Sequence, residues 1–116
     1  FVFVAASVYD LPFVDGLIDS LVMIRVMHHL QQPDKALLEL SRVLTGDGVF
    51  ILEYANKRNF KAIARYWLGR QSWDPFDRQP YEFVHLNYDF HPVWMSDLLR
   101  KSGFSIEQEL ALSSFR

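Results

Sequence analysis

The residues of this chain that stand where they could do chemistry are the His28-His29 pair, the carboxylates Asp10 and Asp19, the Glu53-Tyr54 pair and a dense set of aromatics. Neighbouring histidines on a helix point about 100 degrees apart and do not readily share one metal ion, so the spacing favours a structural role. The functional remainder is an imidazole at the substrate end of a site, where a base would help to deprotonate a hydroxyl nucleophile, and His29 is the catalytic candidate. Asp10 and Asp19 lie too far apart in sequence to be read as a catalytic pair; loop solvation and turn stabilisation are the favoured roles. Glu53 and Tyr54 follow the apolar run Val49-Phe50-Ile51-Leu52, at the carboxyl end of an expected strand, where open α/β sheets often place substrate-facing residues. Ten of the 18 aromatics fall between Phe60 and Trp94, Trp73 and Tyr81 among them, and read either as core packing or as a lid that excludes water.

Positioning these residues takes an alternation of strands and helices. Phe1-Val2-Phe3-Val4-Ala5 is apolar without alternation, the pattern of a strand covered on both faces. Residues 10–16 carry the proline and glycine of a loop, and 19–24 predict a second buried strand. Pro33-Asp34 opens a helix that places Ala36, Leu37, Leu40, Val43 and Leu44 at helical spacing, with Lys35, Glu39 and Arg42 toward the other side. Gly46 and Gly48 are its expected stop. Residues 49–52 then give a third strand, parallel to the second and joined to it by a right-handed crossover.

Residues 56 to about 70 predict another helix, with Phe60, Ile63, Ala64, Trp67 and Leu68 on one face. From 71 to 92 no steady period appears, and a long loop or lid is expected. Residues 94–101 form an amphipathic helix stopped at Ser102-Gly103, 104–107 alternate as a half-exposed strand, and 111–116 begin a last antiparallel strand.

A chain of 116 residues, half of them hydrophobic and 22% charged, has the composition of one globular core and not of a disordered tail. Its formal charge of −2 removes the long-range attraction on which unspecific nucleic-acid binding depends, so neither nucleic acid nor an anionic membrane is an expected partner. Absence of cysteine excludes a disulfide framework and a thiolate zinc site, and the cytoplasm is the default compartment. The opening run lacks a basic leader and the length of a membrane span. It also starts directly without an initiator methionine, so a fragment or processed product is expected.

Asp10-Leu11-Pro12-Phe13, the Ile18-Asp19 strand start, Met27-His28-His29-Leu30, Arg42-Val43-Leu44 and Gly46-Asp47-Gly48 occur in an order that resembles the second half of a class I S-adenosylmethionine-dependent methyltransferase domain of the small-molecule type. The likeness runs over about 100 residues, from the first strand to Gly103-Phe104. It implies a Rossmann-like α/β fold, three α/β/α layers around a mainly parallel sheet, incomplete at the N-terminus. All 116 residues would be the C-terminal part of a single domain, with 57–92 as helix plus substrate lid.

The resemblance also implies a site. Ser7 and Val8 occupy the positions that meet the cofactor's adenine; a serine there departs from the usual acidic residue and offers a neutral, weaker acceptor. Met23, Ile24 and Arg25 match the segment beside the methionine part of S-adenosylmethionine, and Arg25, unusual there, would meet the cofactor carboxylate or a substrate anion. Glu53, Tyr54, Trp73 and Tyr81 are the substrate-side candidates, facing a small-molecule methyl acceptor. An aromatic lid would hold a sulfonium or a planar acceptor by stacking or cation-π contact.

The family's glycine-rich loop and acidic ribose-binding residue lie upstream of the matched segment. Gly46-Asp47-Gly48 is no substitute, since it follows a helix and precedes a strand. The family's first two strands would lie between the strand at 1–5 and that at 19–24, which leaves open edges able to pair with a second copy. The isolated chain is then expected to be inactive. A non-catalytic interaction module of the same architecture is the rival reading, favoured by Ser7 and by the missing half. A nicotinamide-dependent oxidoreductase would share the fold but leave the ordered motifs unexplained.

Overall fold

The computed structural model describes residues 1–111. Two strands, β1 (Ile18–Met23) and β2 (Leu44–Leu52), pair in parallel with Val22 opposite Ile51 and Met23 opposite Leu52. Helix α1 (Pro33–Val43) joins them and is entered through a single 3-10 turn, Met27–His29. This is the βαβ unit that the periodicity predicts. Proline at the first helical turn and Asp34 beside it suit the start of α1, where orphan N–H groups and the positive dipole end lie.

Alternation along the pair decides which face is covered. Leu21, Met23, Phe50 and Leu52 turn inward to a core built on Met27, Leu37, Leu40, Phe90 and Met95. Val22, Val49 and Ile51 stay 63%, 58% and 56% exposed on the other face, so β1 and β2 are half-buried instead of fully buried strands. The glycine stop is also displaced. Helix α1 ends at Val43 because Leu44 is already extended, and Gly46 and Gly48 lie inside β2, where a Cβ on Gly48 would come within 2.7 Å of the Leu44 side chain.

The first loop is fastened to α1 by charge. Arg42 donates to both Glu39 carboxylate oxygens (2.9 and 2.6 Å), to Asp15 Oδ1 (2.7 Å) and to the carbonyls of Leu11 (3.0 Å) and Phe13 (2.8 Å). Glu39 Oε1 in turn accepts from the Leu11 N–H at 2.7 Å. These charge-assisted bonds, the Arg42 side chain first and the Leu11 N–H second, lower the Glu39 carboxyl to about 2.

The C-terminal half departs further from expectation. Helix α2 spans only Phe60–Trp67, because the Asn56 and Asn59 side chains capture the N–H groups of Arg58 and Ala62 and make Asn59 the cap. The stretch 71–92 holds a hairpin, β3 (Tyr81–Val84) against β4 (Asn87–Asp89), turning through Leu86 in the left-handed region at φ 58°. Helix α3 (Pro92–Lys101) is capped by His91 Nδ1, which accepts from the Val93 N–H at 3.2 Å, and is followed by Gly103 at φ 99°.

Two expected strands do not form. Residues 1–5 have strand composition but no backbone partner among the described residues, and Phe1, Val2 and Phe3 lie open to solvent. Residues 104–107 join no ladder; Phe104 instead packs its ring 5.2 Å from Phe50. The strand expected over 111–116 falls, beyond Ala111, outside the described residues. No helix among the described residues is long and apolar enough to cross a membrane.

The clamp has a pH signature. A carboxyl lowered on folding contributes stability that is fully present above its unfolded value near 4.5 and is lost as pH falls toward about 2. Thermal unfolding between pH 5 and pH 2 is expected to show this loss in the natural protein. Glu39→Gln should be less stable at neutral pH and flatter over the acid range; identical acid profiles would show that the pair contributes nothing.

Candidate functional site

Parallel pairing makes β1 and β2 end side by side, so the residues that leave them emerge together. The Glu53 N–H donates to the Met23 carbonyl at 2.9 Å, which carries the register one step past the strands. Ile24 and Arg25 leave β1 and Glu53 and Tyr54 leave β2 into one open groove. Arg25 sits in the left-handed region at φ 59°, a conformation that a non-glycine residue adopts at some cost and that recurs at functional sites.

The facing wall comes from the segment after α2 and from the hairpin. Trp73 stacks on Tyr81 with centroids 4.7 Å apart and planes 20° from parallel, and both line the groove. Gln71 Nε2 holds the Trp73 carbonyl at 3.0 Å. Buried Lys57 donates to the carbonyls of Asp77 (3.0 Å) and Gln79 (2.8 Å), with the Asp77 carboxylate at 3.7 Å, so its charge is spent on fixing this loop. Backbone bonds from Lys57 N–H to Phe90 O and from Phe90 N–H to Ala55 O, both 2.9 Å, tie the chain after β2 to the end of the hairpin.

Two groups in the groove have shifted acidity. Burial first, and then the charge of Glu109, push the Tyr54 phenol up to about 12, so it remains a proton donor through the neutral range. Burial raises the Asp89 carboxyl, against the opposing pull of Arg65 and Lys57. Asp89, Arg58 and Arg65 join the lining without having been singled out in the sequence. Arg58 and Arg65 belong to a cationic stretch that signals them, whereas Asp89 lies in the hairpin, for which no periodicity gave warning.

Six candidates therefore line this one broad, open surface: Ile24, Arg25, Glu53, Tyr54, Trp73 and Tyr81. Four are placed elsewhere. Ser7 closes a tight turn, with its hydroxyl accepting from the Tyr9 N–H at 3.2 Å and its carbonyl from the Asp10 N–H at 3.1 Å. Val8 packs its side chain against the core, and Met23 is itself part of that core. His29 has Nδ1 2.9 Å from the Leu86 carbonyl, which makes it the tether of the hairpin turn; its neighbour His28 is the histidine on the groove.

Chemically, the groove offers a guanidinium for an anion, carboxylates for a donor or cation, a phenol and an aromatic wall for a planar or apolar body. Charged and polar side chains make up about half of its lining, beside the apolar and aromatic ones. Residues 1–52 match the family model described as a methyltransferase domain. Among solved structures, the chain is similar to a SAM-dependent methyltransferase from Thermotoga maritima, titled a possible histamine N-methyltransferase, with a TM-score of 0.62 and 24% identity. The match covers 87% of this chain and 44% of that one, so the chain spans under half the length of that structure. No curated protein matches.

Removing the His29 tether tests its role. A single net hydrogen bond contributes roughly 0.5–1.5 kcal/mol, so His29→Ala should speed amide exchange in β3 and β4 by roughly 2- to 12-fold while leaving α1 unchanged. Unchanged exchange in the hairpin would return His29 to the list of free site residues.

Proposed function

We propose that this chain is the C-terminal part of a class I methyltransferase domain, lacking the glycine-rich cofactor loop, and that the protein to which it belongs carries out S-adenosylmethionine-dependent methyl transfer to a small-molecule acceptor. The observation that carries the reading is that Ile24-Arg25 and Glu53-Tyr54 leave the carboxyl ends of two parallel strands side by side, in an open groove that the Trp73-Tyr81 stack also lines. Crevices at the carboxyl ends of strands are where open α/β sheets bind ligands. The structural relative's title, a possible histamine N-methyltransferase, is in keeping with a small acceptor.

The residues fit the cofactor unevenly. On the methionine edge, Arg25 would hold the carboxylate and Ile24 the apolar chain, with Met23 behind them as core. On the adenine edge, the Ser7 hydroxyl already accepts one bond from Tyr9, which leaves it a single further acceptor position; Val8 stands beside it. When bound, S-adenosylmethionine supplies an electrophilic methyl group. The chain's own contribution is positioning: holding a nucleophile at attack distance is worth roughly 7–11 kcal/mol. Glu53 would accept a hydrogen bond from the acceptor, the protonated Tyr54 would donate one, and the Trp73-Tyr81 pair would cover a planar ring and exclude water.

A second reading is a non-catalytic interaction module on the same scaffold. It is favoured by one feature, the Ser7 hydroxyl turned into its own loop and away from the groove. Titration calorimetry with S-adenosylhomocysteine separates the two. Catalytic use of the groove predicts saturable one-to-one binding. A hydrogen bond to a charged group contributes roughly 1.5–3 kcal/mol, so Arg25→Ala should weaken that binding by roughly tenfold to a hundredfold. Absence of binding by folded protein would mean that the upstream half of the site is required or that the module no longer handles cofactor, and binding indifferent to Arg25→Ala would remove Arg25 from the site.

A further inference from the structure

Asp89, half-buried in β4 and part of the groove lining, has no hydrogen-bond donor and no ion-pair partner among the described residues. The two cations whose charge reaches it are engaged elsewhere. Arg65 Nε donates to Gln71 Oε1 at 3.4 Å, and Lys57 holds the Asp77 and Gln79 carbonyls. Burial outweighs their pull and raises the Asp89 carboxyl above its ordinary value. A carboxylate drawn partly out of water without a donor costs free energy that a bound cation would offset.

The hairpin register says what stands beside it. Asp89 lies directly opposite Tyr81 in the β3-β4 ladder, which puts both side chains on one face with Cβ atoms about 4.5–5.5 Å apart. Tyr81 in turn stacks on Trp73 with centroids 4.7 Å apart. An unmatched carboxylate and two aromatic rings thus share one corner of the groove. We propose that this corner binds an organic cation, an ammonium group carried on a planar ring, with the Asp89 carboxylate meeting the ammonium and the Trp73-Tyr81 stack meeting the ring. An anion would be repelled by Asp89, and a neutral ligand would leave its charge unmatched. The inference rests on the methyl-transfer reading for the use of the site: on that reading the methyl acceptor is an arylalkylamine, and Asp89 is the residue that selects it.

Titration calorimetry of the chain with phenethylamine and with its uncharged counterpart, phenethyl alcohol, tests it. The amine should bind roughly tenfold to a hundredfold more tightly, the scale of one charge-assisted hydrogen bond. Asp89→Asn keeps the shape of the side chain and should fold with an unchanged circular dichroism spectrum, but bind the two ligands alike. Trp73→Ala should weaken both. Equal affinity for amine and alcohol, an amine preference that survives Asp89→Asn, affinities untouched by Trp73→Ala, or no binding of either ligand by folded protein would overturn the proposal. S-adenosylhomocysteine titrated in parallel keeps the two readings apart. Cofactor product bound without an amine preference sinks this inference alone, whereas amine held through Asp89 without S-adenosylhomocysteine binding supports it and counts only against the cofactor reading.

Discussion

The arrangement of this protein depends on one guanidinium. Arg42 sits in the last turn of α1 and directs its planar fork at Glu39, Asp15 and two loop carbonyls, while its own carbonyl accepts from the Gly16 N–H at 2.9 Å. A lysine could not meet that set, because its ammonium is a point charge without the fork. The clamp fixes the loop that leads into β1 against the end of the helix that leads into β2. Both strands are thereby started from one place, and their parallel register follows. That Arg25 and Tyr54 leave their far ends into one groove is a consequence of where they began.

The facing wall is held by a second set of fastenings, and these are backbone in kind. Phe90 exchanges main-chain bonds with Ala55 and Lys57 just after β2, so the hairpin cannot drift from the sheet that it faces. Its ring, 1% exposed, lies in a run of aromatics with Tyr88, Trp94 and Tyr54. Lys57 is buried to hold loop carbonyls, a costly use of a charge that two carbonyl acceptors and the nearby Asp77 carboxylate offset. The groove is therefore lined by elements that are individually short and jointly constrained.

Periodicity made the βαβ unit legible, because α1 and both strands carry apolar spacing that only one structure satisfies. It failed where structure depends on a partner or on one dihedral. Residues 1–5 have the composition of a strand, but strands exist by pairing, and nothing described pairs with them. The hairpin turns through Leu86 at positive φ, with no glycine or asparagine to announce it. Asn56 and Asn59 shorten α2 by local capture that apolar spacing does not register. The residues read from strand ends line one open groove, while Ser7 and His29 are engaged in local turns. Family position implies which segments would approach a cofactor but does not say which side chains are already committed.

The central claim is that the groove at the ends of β1 and β2 is a cofactor and acceptor site. A crystal structure of the protein with S-adenosylhomocysteine tests it most directly. The account predicts the homocysteine carboxylate within hydrogen-bond reach of the Arg25 guanidinium, with the sulfur facing the space between Tyr54 and the Trp73-Tyr81 stack. Ligand bound away from Arg25 and these rings, in well-ordered density, would contradict it.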